Sequence, residues 1–141
     1  MRKIGLLFAV LLLFLTGCNN SQVPKIDEYD WVMTSVQSMD ADGQASAFGE
    51  RGSSTLSSAK QINMTCKAEN GNLTLADQTN NKTYTGTYKL TQTDPKSNIY
   101  EVVVDGEEGM AVVAMTSYHD GSQEPTFIIN LGDYTINLFA E

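Results

Sequence analysis

The chain has 141 residues, a formal net charge of −8, 41% hydrophobic residues and 18% charged residues. This length has room for one compact domain. The 17 Asp and Glu outnumber the nine Lys and Arg, and this excess of negative charge repels phosphate backbones. We therefore expect no nucleic-acid partner. One His and two Cys are too few for a zinc site of His and Cys ligands or for a disulfide framework, and we expect no metal and no cofactor.

The first 17 residues have the composition of a secretory signal. Arg2 and Lys3 supply the positive charge of its N-terminal region, and residues 4–15 form an almost unbroken apolar run. A run of about 12 residues is too short to anchor a chain across a bilayer, which takes about 20. The segment, residues 1–17, is therefore predicted to be a signal peptide rather than a transmembrane helix.

The apolar run ends in Leu15, Thr16, Gly17 and Cys18. This sequence resembles the lipobox of bacterial lipoproteins, in which a leucine and two small residues precede the cysteine that receives the lipid. The resemblance implies cleavage between Gly17 and Cys18 and a diacylglycerol on the Cys18 thiol; the alternative is an ordinary thiol near a generic cleavage site. Two or three acyl chains hold a soluble domain at a bilayer, so the resemblance implies a protein exported and anchored to a bacterial cell membrane, inner or outer.

Residues 18–28 are predicted to be a lipidated tether. Pro24 and several polar side chains leave this segment without helical or strand periodicity. The folded domain is then predicted to span residues 29–141.

Cys66 is a second cysteine whose partner would be missing if Cys18 carries lipid. A lone thiol in an exported protein is either buried or reactive. Cys66 alternates in register with Ile62 and Met64, so we expect a buried thiol rather than a nucleophile.

From residue 29 onward, apolar and polar side chains alternate in short segments that end at Gly, Asn, Asp or Pro, which is typical of antiparallel hairpins. In the clearest segment, residues 83–93, Tyr84 and Tyr88 share one face. Tight turns are predicted at Asn70 with Gly71, Asp105 with Gly106, and Gly132 with Asp133. The predicted strands are residues 30–38, 61–69, a segment around Leu73 and Leu75, and residues 83–93, 99–104, 110–119, 126–131 and 134–140.

Eight such strands predict an all-β fold, an antiparallel up-and-down meander whose edges disappear if the first and last strands close a barrel. An eight-stranded barrel is either filled by side chains or holds one small ligand, and both remain open. The one long connection, residues 39–60, is rich in Ser, Gly and Ala. We expect it to cover the open end of the barrel, with a short helical turn around residues 45–48.

Trp31 stands at the start of the first predicted strand, ahead of the long connection and the meander. This layout resembles the lipocalin and calycin group over residues 29–141, although Tyr29 stands where that group has a glycine. The resemblance implies a lipocalin-like barrel with Trp31 as a barrel-closing residue. It does not carry over any ligand chemistry.

Aromatic and thioether side chains on the predicted strands are the best signal for a ligand site. Tyrosine joins an apolar ring to a hydroxyl, which suits a pocket for an amphipathic molecule, although such rings can also simply fill a small barrel. The candidate ligand-lining residues are Trp31, Met64, Tyr84, Tyr88, Tyr100 and Tyr118.

Residues for catalysis are scarce. His119 has Asp120 beside it, but neighbours on a strand point to opposite faces, and Glu107 and Glu108 are predicted to form a solvated turn. We therefore predict a lipid-anchored envelope lipoprotein, not an enzyme, that binds a small hydrophobic or amphipathic ligand in the barrel. The alternative is a structural or protein-interaction lipoprotein with a side-chain-filled barrel; the sequence names no envelope protein partner.

Overall fold

The described residues of the computed structural model, 22–39, 45–50 and 63–141, contain one antiparallel sheet of nine strands. Most of the strands follow from the alternation of inward apolar and outward polar side chains, with a turn signal at the strand end. In chain order the strands are β1 (Trp31–Met39), β2 (Ala45–Glu50), β3 (Met64–Glu69), β4 (Asn72–Asp77), β5 (Lys82–Thr93), β6 (Ser97–Val104), β7 (Glu107–Ser117), β8 (Gln123–Leu131) and β9 (Tyr134–Ala140).

The sheet closes on itself because β1 pairs with the last strand, β9, from Trp31 to Ser38. Strands β3 to β9 each pair with the next, and β3 returns to β1, where Trp31 lies opposite Cys66. Eight strands, β1 and β3 to β9, thus form an up-and-down barrel. The predicted fold class is confirmed.

β2 is a strand that the sequence analysis missed. It pairs with the second half of β1, beginning with Ser35 opposite Glu50. The predicted helical turn around residues 45–48 is wrong, because this backbone hydrogen-bonds to β1 instead. The remainder of the predicted cover over the open end, residues 40–44 and 51–60, lies outside the described residues.

The predicted tight turns have the backbone conformation that their residues favour. Asn70 and Gly71 have φ angles of 52° and 79°, and Asp105 and Gly106 have φ angles of 50° and 86°. Two successive residues with positive φ are the requirement of a type I′ hairpin turn, which Asn-Gly and Asp-Gly meet at little cost. Gly132 also has a positive φ, of 50°.

One end of the barrel is closed by the segment that precedes β1. Pro24 is fully buried and Ile26 is 1% exposed. Asn98 Nδ2 donates to the Pro24 carbonyl at 2.9 Å, and Trp31 Nε1 donates to the Ile26 carbonyl at 2.7 Å. The Ile26 N–H donates to the Tyr100 hydroxyl at 3.2 Å. We call residues 24–28 the cap.

The cap lies within residues that the sequence predicts to be tether. It has no strand or helix period, but three of its backbone polar groups are satisfied by side chains of the barrel, and such contacts leave no periodic pattern in the sequence. The packed domain therefore begins at Pro24. A chain that starts at Asn19 keeps the cap and all nine described strands, so we expect the barrel to fold without the signal peptide or the lipid.

Trp31 is the centre of the closed end. Its side chain is completely buried, and its ring lies 5.4 Å from the Tyr29 ring and 5.2 Å from the Phe127 ring, measured between centroids. Tyr88 and Tyr100 pack edge to face at 5.9 Å beside it. These large rings fill the base of the barrel.

Candidate functional site

A cavity of about 340 Å³ lies at the other end of the barrel, which we call the mouth. Antiparallel strands alternate in direction, so the mouth collects the last residues of β1, β4, β6 and β8 and the first residues of β3, β5, β7 and β9. Each of the eight barrel strands contributes at least one residue to the lining of the cavity. The described lining residues are Val36, Met64, Leu75, Asp77, Tyr84, Val104, Asp105, Glu107, Leu131, Tyr134 and Ile136.

The buried side chains of the mouth are smaller than those of the base, although the partly buried Tyr84 and the exposed Tyr134 also line the cavity. Val36, Leu75 and Ile136 are buried aliphatic residues at the mouth, whereas the base holds Trp31, Phe127 and two tyrosines. The same eight strands enclose both halves, so the aliphatic half leaves volume unfilled. Among residues 22–39, 45–50 and 63–141, side chains thus fill one end of the barrel and leave a cavity at the other.

Asp77 is a carboxylate among the apolar side chains of the cavity, with 4% of its surface exposed. Asn80 donates to both of its oxygens, from the backbone N–H at 3.0 Å and from Nδ2 at 2.7 Å. Burial acts to raise the pKa of Asp77, but these hydrogen bonds, one from Thr79 and the charge of Lys82 together lower it. Asp77 is therefore ionised at neutral pH.

Asp105 and Glu107 stand on the rim of the mouth, in the turn between β6 and β7 and at the first residue of β7. Asp105 Oδ1 accepts a hydrogen bond from the Thr85 N–H at 3.0 Å, which fixes its carboxylate against β5. Glu107 is exposed, as predicted for a solvated turn, yet it belongs to the lining. Glu107 lies at the mouth because β7 begins at that end of the barrel. A turn sequence alone does not indicate which end of a barrel the turn occupies.

The predicted ligand-lining residues divide between the two ends of the barrel and its outer surface. Met64 and Tyr84 line the cavity. Trp31, Tyr88 and Tyr100 belong to the packed base instead. Alternation correctly places these five side chains towards the interior, but it does not say which end of the barrel each one occupies.

Tyr118 is not inside the barrel. It follows the last residue of β7, is 47% exposed, and its hydroxyl donates to Glu124 Oε2 at 2.9 Å. It contributes to a groove of about 520 Å³ on the outer surface, together with Thr34, Ile128 and Asn137. The alternation of β7 accounts for this position, because Ala111 and Val113 point inward and even-numbered residues point outward, and the strand ends at Ser117, two residues before its predicted end.

Sequence reasoning missed the carboxylates of the cavity, Asp77, Asp105 and Glu107. Asp77 could have been found, because Leu73, Leu75 and Asp77 continue one inward alternation along β4. Asp105 and Glu107 carry only turn signals, and their approach to the mouth depends on how the strands stagger around the barrel.

Cys66 is confirmed as a buried thiol. Its side chain is 1% exposed, and burial raises its pKa from 9.0 to about 12. A protonated thiol without access to solvent does not act as a nucleophile.

Among residues 22–39, 45–50 and 63–141, no three His, Cys, Asp or Glu side chains are grouped so that they could hold a metal ion. Over the same residues, the chain has no helix that is both long enough and apolar enough to cross a bilayer.

Comparison with known proteins identifies the N-terminal segment. Residues 1–19 match the prokaryotic membrane lipoprotein lipid attachment site, and Cys18 is the cysteine within them. No curated protein matches the chain, and no solved structure matches it. The protein is therefore an exported bacterial lipoprotein, held at the membrane by covalent lipid, whose folded part is an eight-stranded antiparallel β-barrel.

Proposed function

We propose that the protein is a binding lipoprotein that holds one small hydrophobic or amphipathic molecule at the mouth of a lipocalin-like barrel, and that it is not an enzyme. The observation that carries this proposal is the cavity of about 340 Å³ with aliphatic walls. Small-molecule sites in proteins typically occupy about 300–1,000 Å³ and combine apolar walls with a few polar groups. The cavity lies at the lower end of that range, so its ligand is small.

The walls of the cavity favour an apolar guest over water. Val36, Leu75 and Ile136 have aliphatic side chains, which offer a water molecule no hydrogen bond. A water needs two to four polar partners to be stable inside a protein. A hydrocarbon chain or ring would instead gain dispersion contacts with these side chains.

The base of the barrel supports the same proposal. The cap and the aromatic cluster around Trp31 fix the closed end by packing and hydrogen bonds, which leaves the mouth as the place where a ligand can enter without unfolding the barrel. A site built on rigid strands holds its ligand in a defined geometry.

A second candidate function is the binding of an envelope protein by the outer surface. It is favoured by two exposed apolar side chains on neighbouring strands, Met110 at 52% and Ile128 at 36% exposure. Met110 lies opposite Asn130 and Val112 opposite Ile128 in the pairing of β7 with β8, so these apolar groups share the outer face.

Native mass spectrometry of the lipoprotein purified from its own host tests the proposal. We expect a bound molecule of low mass that is lost in the Met64→Trp variant, because an indole at the start of β3 fills the cavity. Thr74→Trp is the matched control, since Thr74 lies on the outward face of β4. A protein without a bound small molecule that instead co-purifies with an envelope protein, and loses it in Ile128→Asp, would favour the second function.

A further inference from the structure

We infer that the cavity selects a ligand with a positive charge, an ammonium group on a small apolar body, and disfavours anionic amphiphiles such as fatty acids. This inference rests on the proposed function, to which it adds the charge class of the ligand.

The charged groups of the described lining are all acidic. Asp77, Asp105 and Glu107 belong to it, and none of the described lining residues is Lys, Arg or His. The three come from the end of β4, the turn after β6 and the start of β7, and they are not grouped as ligands of one metal ion among the described residues. Three carboxylates that lie apart from one another suit an organic cation better than a metal ion. A charged ammonium group is stabilised by nearby carboxylates even when it does not touch each of them.

Lys82 is a cation near this part of the mouth, at the first residue of β5, but its charge is engaged by its neighbours. Its ammonium lies 4.4 Å from the centre of the Tyr84 ring, within the range of a cation–π contact. It also acts on Asp77, whose pKa is raised by burial but lowered overall by hydrogen bonds and by Lys82. Lys82 and Asp77 therefore offset one another, and Asp105 and Glu107 supply the excess negative charge.

Asp105 is held in place before any ligand arrives. Its positive φ of 50° belongs to the turn, and Oδ1 accepts the Thr85 N–H. An ionised carboxylate has about four acceptor positions on two oxygens, so this one bond leaves capacity for an ammonium group. A preoriented carboxylate binds a cation with less loss of side-chain entropy than a free one.

The rest of the molecule adds to this preference. The chain has a net charge of −8, and two of its nine basic residues, Arg2 and Lys3, belong to the signal peptide. The apolar walls lower the local dielectric, which strengthens the interaction of a ligand charge with the rim. An anionic headgroup seated on the same hydrocarbon body would face like charges.

The test uses three eight-carbon probes that differ in headgroup: octylammonium, octan-1-ol and octanoate. Their binding to the chain that starts at Asn19 is measured at pH 7 by NMR titration in low salt. We expect octylammonium to bind at least tenfold more tightly than octanoate, with octan-1-ol between them. We expect 0.5 M salt to reduce this ratio, because screening weakens charge interactions at the rim.

Two double variants of equal net charge locate the effect. Asp105→Asn with Glu107→Gln should bring the ratio of octylammonium to octanoate affinity within about twofold and leave octan-1-ol binding unchanged. Asn tolerates the positive φ at position 105 and keeps the oxygen that accepts the Thr85 N–H. Glu69→Gln with Glu101→Gln removes two exposed carboxylates outside the described lining and should preserve the ratio.

The outcomes separate this inference from the function on which it rests. If octan-1-ol binds but octanoate binds as well as octylammonium, or the rim variant keeps the full ratio, the charge preference is wrong and the binding function stands. If none of the three probes binds, the proposed function fails and this inference fails with it.

Discussion

Asp77 shows how a charged group is tolerated beside an apolar cavity. Burial of a carboxylate costs free energy unless its oxygens are hydrogen-bonded, and Asn80 supplies two bonds from within the same turn. The same holds for the other polar groups of the described residues, among which no buried side-chain nitrogen or oxygen lacks a partner. Asn98 at the base, for instance, accepts a bond from Thr93 and donates one to Pro24.

The stability contributed by the Asp77 carboxylate should disappear in acid. The pKa of Asp77 in the fold lies below its ordinary value of 3.8, so the ionised form stabilises the fold. That contribution is fully present above pH 3.8 and is lost as the pH falls through the lowered folded-state pKa. We expect Asp77→Asn to cost about 1–2 kcal/mol at pH 7. Urea unfolding of both proteins from pH 7 to pH 2 measures the difference, and a gap that stays constant would contradict this account.

The Cys66 thiol should be unreactive while the barrel is folded. The rise of its pKa from 9.0 to about 12 lowers the thiolate fraction at neutral pH roughly a thousandfold, and burial blocks access as well. A thiol-reactive chromophore should label the chain from Asn19 slowly in buffer and within seconds in concentrated urea. Fast labelling of the folded protein at pH 8 would show that Cys66 is accessible.

At the scale of elements, the eight barrel strands and the tight turns were predictable, whereas β2 and the cap were not. The last predicted strand, residues 134–140, matches β9 to the residue, because Tyr134 follows a glycine turn and the alternation runs to the end of the strand. Four of the six residues of β2 are small and show no clear alternation, so only its hydrogen bonds to β1 define it. The cap escaped prediction for the same reason, since it is fixed by tertiary contacts of Pro24 and Ile26 rather than by local periodicity.

The cap should contribute to the stability of the barrel. Ile26→Ala removes a fully buried side chain from the closed end and should lower the free energy of unfolding by about 2–4 kcal/mol. Val23→Ala, one residue before the cap and only partly buried, is the control and should cost less than about 1 kcal/mol. Chemical denaturation of the chain from Asn19 measures both changes. If residues 22–28 were a free tether, the two variants would be equally stable.

At the scale of the whole molecule, the anchor could be identified from the sequence, whereas the interior of the barrel could not. A lipobox is a contiguous motif, and the match at residues 1–19 confirms it. The cavity instead depends on how much volume the inward side chains of eight strands fill together. Trp31, Tyr84 and Tyr100 are all inward positions, yet Tyr84 lines the open mouth and the other two belong to the base. Alternation determines the face of each residue, and the stagger of the strands determines its depth.

Membrane attachment should depend on Cys18 alone. Cys18→Ser removes the thiol that receives the lipid, so we expect a protein without acyl chains by mass spectrometry of the intact chain from host cells. Cys66→Ser is the matched control, since it changes the other cysteine and should leave the acyl chains in place. Acylated Cys18→Ser protein would show that the lipid is attached elsewhere.

The central claim is that the mouth of the barrel, and not its base or outer surface, holds the ligand. Intermolecular NMR contacts between octan-1-ol and the methyl groups of the chain from Asn19 test it directly. We predict contacts to Val36, Met64, Leu75 and Ile136 at the mouth and none to Val113 in the base. Contacts confined to Ile128 on the outer groove, or no contacts at saturating octan-1-ol, would contradict the account.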